Sequence, residues 1–136
     1  MKSQKAHYNA IIQEGCLDLL GSIREYLPTK ITYSFVHSAQ NYLEKLNEYK
    51  KLSLPVHLIH LSDQLPMGNE ESELQSLEHS FIKGQELFPQ AHYMTTSQML
   101  TKETFKFCNK HDIIAISPKH IVPYVSGLVV NLKPNL

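Results

Sequence analysis

The sequence predicts an α/β fold, a three-layer sandwich in which a central, mainly parallel five-stranded sheet lies between helices. Short apolar runs of strand length alternate along the chain with longer segments whose apolar residues recur every three or four positions. Strands that alternate with helices imply right-handed crossovers and therefore parallel neighbours. The 136 residues, 42% of them hydrophobic, suffice for one core. We therefore expect residues 1–136 to form a single domain.

The individual elements follow from local patterns. Helical spacing and caps predict helices at residues 9–27, 38–51, 70–87 and from Thr101 onward. Runs rich in β-favouring residues predict strands at residues 31–36, 56–61, 92–96 and 112–117. The last segment fits neither period, because Pro123 and Gly127 interrupt both. A further strand would have to come from the polar residues 1–8, unless the sheet begins at residue 31.

Composition and charge argue against two classes of function. Thirteen basic residues balance thirteen acidic ones, and no block of lysines and arginines stands out. The electrostatic footprint of a nucleic-acid-binding surface is therefore missing, and we expect no direct contact with nucleic acid. No apolar run approaches the length of a membrane span, and the polar amino terminus leads into no apolar signal segment. These features predict a cytoplasmic protein that does not contact a membrane.

No motif for catalysis or cofactor binding stands out. The five glycines are not clustered into a phosphate-binding loop, and no nucleophile-elbow motif supports a catalytic serine. Histidine is abundant, with eight residues, but His57 and His60 are three positions apart on a predicted strand. Their side chains therefore point to opposite faces and do not bind one ion together. We expect no enzyme activity, no cofactor and no metal.

Three short motifs follow one another in an order and at a spacing typical of a known family. In the first predicted helix a Glu-Gly pair precedes a Leu-Leu pair, a proline turn follows the strand at 56–61, and a Phe-Pro-Gln-Ala turn leads into the strand at 92–96. The residues are Glu14-Gly15, Leu19-Leu20, Pro66 and Phe88-Pro89-Gln90-Ala91. In these motifs the chain resembles the receiver domains of bacterial response regulators, in the branch whose receivers precede a helix-turn-helix. The resemblance covers nearly the whole chain and implies a receiver (flavodoxin)-like fold.

The resemblance also implies a phosphate pocket at the carboxyl ends of the strands. In receivers a carboxylate after the third strand accepts the phosphoryl group, and two acids after the first strand help to hold Mg²⁺. A hydroxyl after the fourth strand and a lysine after the fifth then bind the phosphate. Ser97 matches the hydroxyl position, and Lys119, twenty-two positions later, matches the lysine.

The acidic part of that pocket is missing from the sequence. Ser62 stands where the phosphoacceptor aspartate is expected, and Asp63 follows one position late, which in a strand turns its side chain to the opposite face. His7 and Tyr8 stand where the paired acids are expected. Without these carboxylates phosphoryl transfer has no electrostatic support. The degenerate pocket would then consist of Ser62, Asp63, Ser97, Lys119, His7 and Tyr8.

These observations favour a non-catalytic, receiver-like domain of signalling or transcription regulation that acts through protein–protein contacts and without phosphorylation. The resemblance implies self-association or docking to a protein partner. The contact surface would be the one around the helix from Thr101, the strand at 112–117 and the last segment. An output helix-turn-helix would lie beyond Leu136.

Two other interpretations stay open at this point. If the sheet begins at residue 31 and ends with a strand at 128–133, the chain is similar to universal-stress-protein-like modules that bind a small ligand. Residues 116–120 lack the glycine-rich turn of the members that bind ATP. The run at 112–120 resembles a segment of the two-lobed effector-binding domains of LysR-type regulators, and this chain is short for both lobes.

Overall fold

The computed structural model describes residues 8–14, 26–62, 65, 67–68, 72–96, 101–117 and 120–131. Its strands are β1 (Tyr8–Gln13), β2 (Ile31–Val36), β3 (Leu58–Leu61), β4 (His92–Thr96) and β5 (Ile114–Ile116). Its helices are α1 (Ala39–Lys51), α2 (Glu73–Leu87), α3 (Lys102–Lys110) and α4 (Ile121–Asn131).

The five strands form one sheet in the order β2-β1-β3-β4-β5, and every neighbouring pair is parallel. Helices pack on both faces of this sheet. On one face α1, α2 and α3 contribute Tyr42, Leu77 and Cys108 to a shared core. On the other face α4 contributes Ile121 and Val125. The predicted α/β sandwich with a five-stranded parallel sheet is therefore confirmed.

The central position of β1 corrects the prediction for the amino-terminal part of the chain. Residues 9–13, predicted as the start of a helix, form a strand that pairs with β2 on one side and β3 on the other. Ala10 and Ile12 belong to one core cluster and Ile11 to the other. Because both faces are covered, the strand has no polar face, and its apolar residues fit a helical pattern equally well. Residues 15–25 of the predicted helix lie outside the described residues.

The strand order also contradicts the arrangement in which the sheet begins at residue 31. β1 lies between β2 and β3, and residues 128–131 belong to α4 and not to a last strand. Pro123 is the third residue of α4, in the first turn, where a missing N–H removes no helical hydrogen bond. Ile121, Val125 and Leu128 share the helical face that packs on the sheet. The ambiguous last segment is therefore a helix.

Polar side chains define the helix starts. Ser38 Oγ accepts a hydrogen bond from the N–H of Asn41, which confirms the predicted start of α1. Thr101 Oγ1 accepts one from the N–H of Thr104, as predicted for α3. α2 begins at a capping box around Ser72, two residues after its predicted start at residue 70.

Among the residues that the structure describes, no helix has the length and apolar character that a membrane crossing requires.

Candidate functional site

Polar side chains gather where the strands end at the carboxyl edge of the sheet. Glu14 directly follows β1, Ser62 follows β3, Thr96 ends β4 and Ser117 follows β5. Continuing the pairing register of β1, β3 and β4 puts Glu14, Ser62 and Thr96 level with one another. Ligands of open parallel α/β sheets bind at this edge. We refer to these four residues as the carboxyl-edge site.

Gln13, the last residue of β1, connects this site to a helix. Its Oε1 accepts a hydrogen bond from the N–H of Ser62 at 2.8 Å, and its Nε2 donates to Oγ of Ser80 in α2 at 2.9 Å. All three residues are buried. An amide both accepts and donates, so it satisfies both partners without placing a charge in the interior.

His60 lies in β3, beneath the carboxyl-edge site. Its Nδ1 is 3.0 Å from the backbone oxygen of Gln13, and its Nε2 is 2.8 Å from Oγ1 of Thr96. A carbonyl oxygen only accepts, so Nδ1 carries a proton. Burial lowers the pKa of His60 to about 4, although the hydrogen bond to Gln13 acts in the opposite direction. The ring is therefore neutral near pH 7, its Nε2 is an acceptor, and the Thr96 hydroxyl donates to it.

Glu14 brings a carboxylate to the carboxyl-edge site. Its side chain is 3% exposed, and its Oε1 lies 3.5 Å from Nε2 of His37, a side chain that is 63% exposed. The backbone N–H of Glu14 donates to the carbonyl oxygen of Val36 at 2.9 Å. Both the main chain and the side chain of Glu14 are therefore held against the end of β2.

The structure locates part of the predicted pocket. Ser62 follows the last residue of β3, at the strand end where it was predicted, and is buried. Tyr8 is not part of the carboxyl-edge site, because it opens β1 at the opposite edge, where its ring packs edge-to-face on His57 at 5.1 Å. Its predicted place was wrong because the first strand ends at Gln13 and not near residue 8. Four predicted residues lie outside the described residues, namely His7, Asp63, Ser97 and Lys119.

Sequence reasoning missed five residues at this edge: Gln13, Glu14, His60, Thr96 and Ser117. A signal for Glu14 exists, because the polar pair Gln13-Glu14 directly follows three apolar residues, as at the end of a buried strand. No comparable signal exists for His60 and Thr96, since they are 36 positions apart in sequence. Their contact depends on the pairing of β3 with β4.

The described part of this edge offers hydroxyl, amide and imidazole groups with a single strand-end carboxylate, Glu14. Within the described residues, no three His, Cys, Asp or Glu side chains lie together as metal ligands would. Hard divalent cations such as Mg²⁺ prefer several oxygen ligands, carboxylates among them.

The chain has a receiver-like fold. No protein-family model matches the sequence, and no curated protein matches it. The solved structure of the response regulator LqsR of Legionella pneumophila is similar over 93% of this chain, with a TM-score of 0.67 and 11% sequence identity. The match covers 44% of LqsR, so this chain spans less than half the length of that protein. At this identity the likeness concerns the fold alone.

Proposed function

We propose that this chain is a receiver-like regulatory domain that acts through contacts with other proteins and does not accept a phosphoryl group. In this proposal it has no catalytic role and needs no cofactor. The receiver-like strand order and the side chains at the ends of β1 and β3 support it. One observation carries most of the argument: a serine, Ser62, follows β3 where receivers have their aspartate.

Ser62 permits different chemistry from an aspartate. The phosphoryl acceptor of a receiver is an ionised carboxylate, and Mg²⁺ neutralises the charge that develops during transfer. A serine hydroxyl is a weak nucleophile unless a base takes its proton. The imidazole of His60 is not such a base, because its Nδ1 is protonated and its Nε2 already accepts the proton of Thr96.

The end of β1 is also poorly suited to a divalent cation. Gln13 supplies an amide instead of a carboxylate, and its oxygen accepts the N–H of Ser62. Glu14 supplies a carboxylate, but its Oε1 lies beside His37. Because Mg²⁺ is held by carboxylates and other oxygens in octahedral geometry, we expect it to bind weakly here.

Exposed apolar side chains on α3 and on the edge strand β5, on opposite faces of the sheet, support a role in protein contact. Phe105 on α3 and Ile114 on β5 are 46% and 41% exposed. β5 is a three-residue strand at the end of the strand order, so one of its sides faces no strand of the described sheet. Large exposed apolar side chains beside an open strand edge are typical of interaction surfaces. We assign contact with a protein partner, including a second copy of the chain, to this surface.

The resemblance to receivers extends the proposal to the whole regulator. The domain would belong to a cytoplasmic protein that controls transcription, with a helix-turn-helix following residue 136. In that arrangement the exposed apolar side chains of α3 and β5 would transmit the signal through association with a partner. The carboxyl-edge site would contribute to the stability of the domain.

Beryllofluoride with Mg²⁺, a mimic of the bound phosphoryl group, tests the proposal by NMR. We expect the amide signals of Glu14, Ser62 and Thr96 to stay in place when both are added. The matched control is the double variant Gln13→Asp, Ser62→Asp, which returns a carboxylate to the ends of both β1 and β3 and should respond, and its spectrum without additives shows whether it is folded. Specific, saturable shifts around Ser62 in the unmodified chain would contradict the proposal.

A further inference from the structure

The turn that follows α1 presents two leucines to solvent on a defined backbone. Leu52 and Leu54 are 60% and 42% exposed. The N–H of Ser53 donates to the carbonyl of Lys50 at 3.1 Å, and the N–H of Leu54 donates to that of Tyr49 at 2.9 Å. These two bonds make a Schellman turn, and Ser53 adopts the left-handed conformation it requires, with φ of 56°. A hydrogen-bonded turn therefore holds both leucines at the surface.

The turn after α3 also contains a residue in the left-handed conformation, but the apolar residue that follows it is buried. Asp112 also has φ of 56°, and the N–H of Ile113 donates to the carbonyl of Cys108 at 2.9 Å. Ile113 is buried and belongs to the same core cluster as Cys108. Such an apolar contact commonly accompanies this kind of turn. Leu54 occupies the equivalent position after α1 and is 42% exposed, so the fold covers it only in part.

An open groove lies beside the exposed leucines, between the carboxyl-terminal ends of α1 and α2. Its volume is about 470 Å³, and it is lined by Lys50, Ser53, Leu54, Pro55, Leu87 and Phe88. Four of the six lining residues are apolar, Lys50 and Ser53 add polar groups, and the volume lies in the range of ligand-binding sites. β3 and β4 begin just after these segments, so the groove is at the amino edge of the sheet, opposite the carboxyl-edge site.

Two lysines end the helix that borders the groove, and one of them, Lys50, lines it. Lys50 and Lys51 form the last turn of α1, and both are exposed. Lys50 Nζ lies 6.0 Å from the centre of the Phe88 ring. Glu48, the nearer of the two acids on α1 that precede them, pairs with Lys45 at 3.2 Å. Apolar side chains beside a lysine complement an acidic segment that carries aliphatic or aromatic side chains.

We propose that this groove is the docking site for an acidic, apolar peptide segment of a partner protein. Apolar side chains of the segment enter between Leu54 and Phe88, and its flanking carboxylates pair with Lys50 and Lys51. The preformed turn favours binding, because no loop has to be ordered when the partner arrives. The proposal is independent of the carboxyl-edge site, since the groove lies at the other edge of the sheet.

A labelled peptide tests the proposal directly. The probe is fluorescein-labelled Glu-Asp-Leu-Phe-Asp-Glu, and the whole chain is titrated against it while fluorescence anisotropy and amide NMR shifts are followed. We expect saturable binding with shifts confined to residues 50–55 and 87–88. Binding should weaken as salt is added, because ions screen the contacts between carboxylates and lysines. Peptides with lysines in place of the acids, or serines in place of Leu and Phe, should bind at least about tenfold more weakly.

Two matched variants distinguish peptide binding in the groove from nonspecific association of the peptide with the protein. Leu54→Asp should weaken peptide binding by about tenfold or more, because it removes apolar area and repels the acidic probe. Ile82→Asp is the control, since Ile82 is 48% exposed on α2 outside the groove and the substitution changes the charge equally. It should leave the affinity unchanged, and the NMR spectra show whether both variants are folded. Absence of saturable binding, shifts located away from the groove, or equal losses in the two variants would each overturn the proposal.

Discussion

Thr96 donates its hydroxyl proton to Nε2 of His60 at 2.8 Å, and the Nδ1–H of the same ring donates to the main-chain oxygen of Gln13 at 3.0 Å. This chain of hydrogen bonds joins β4, β3 and β1 inside the protein, just below their carboxyl ends. In such a dry environment a complete network is strong, and a network with one member missing is costly. The stability of the central sheet should therefore depend on the protonation of His60 and on the hydroxyl of Thr96.

Acid should destabilise the domain through His60. Its pKa is about 4 in the folded protein and 6.5 in the absence of burial. Between these values the unfolded chain binds a proton that the folded chain does not, so stability is complete above pH 6.5 and falls as the pH approaches 4. The loss should reach about 3 kcal/mol below pH 4, and urea unfolding at about pH 7 and about pH 5 should already show a loss of about 2 kcal/mol.

The variant His60→Phe isolates this effect from other histidines. The pKa of His57 is also lowered, by burial first and then by His92, so His57 acts in the same direction. His60→Phe should be less stable near pH 7, because Gln13 and Thr96 lose their buried partner, but it should lose most of the pH dependence. If the full pH dependence persisted in this variant, His60 would not be its source.

Removing the Thr96 hydroxyl should destabilise the protein even though the shape of the side chain is kept. Thr96→Val leaves Nε2 of His60 buried without a donor, which we expect to cost about 1–3 kcal/mol in urea unfolding. Thr96→Ser keeps the hydroxyl and is the control with the smaller loss. Combining Thr96→Val with His60→Phe should give clearly less than the sum of the single effects. Additive losses would show that the two side chains are not energetically coupled.

Two helical glycines should respond oppositely to the same substitution. A Cβ at Gly84 in α2 would lie 2.9 Å from the hydroxyl of Tyr42 and 2.9 Å from the ring and hydroxyl of Tyr93. Both tyrosines are buried and bonded to main-chain oxygens, so we expect Gly84→Ala to cost about 1–3 kcal/mol despite the helix preference of alanine. At Gly127 in α4 a Cβ meets nothing within 4 Å, and Gly127→Ala should stabilise by up to about 1 kcal/mol. Thermal unfolding of both variants checks the contrast.

Relief of backbone strain should stabilise the turn after α1. Ser53 has φ of 56°, a conformation that disfavours side chains with a Cβ. Ser53→Gly should raise the free energy of unfolding by up to about 1 kcal/mol. Asp112→Gly, at the same φ of 56°, should give a smaller gain because aspartate tolerates this region better. Equal effects at the two positions in chemical unfolding would contradict this explanation.

Local chemistry made most elements predictable. Ser38 and Thr101 each cap an N–H three positions ahead, so both helix starts can be recognised without knowledge of the rest of the fold. The end of β3 could also be predicted locally, because Pro66, four positions further along the sequence, indicates a turn after Ser62. The α/β class followed from the alternation of strands with helices, and the likeness to receivers followed from three short motifs, each confined to a few residues.

The sequence by itself determined the class of fold, most strands and helices, and the serine at the end of β3. Only the tertiary structure decided that residues 8–13 are a central strand, because Ile11 and Ile12 fit a helix or a doubly buried strand, and pairing with β2 and β3 selects the strand. That pairing brings Glu14 to the carboxyl edge and moves Tyr8 to the opposite one. It also creates the network around His60, since its members lie on three strands that meet only in the assembled sheet. Sequence patterns describe neighbours along the chain, whereas this site is built from strand ends that only the register of the sheet brings together.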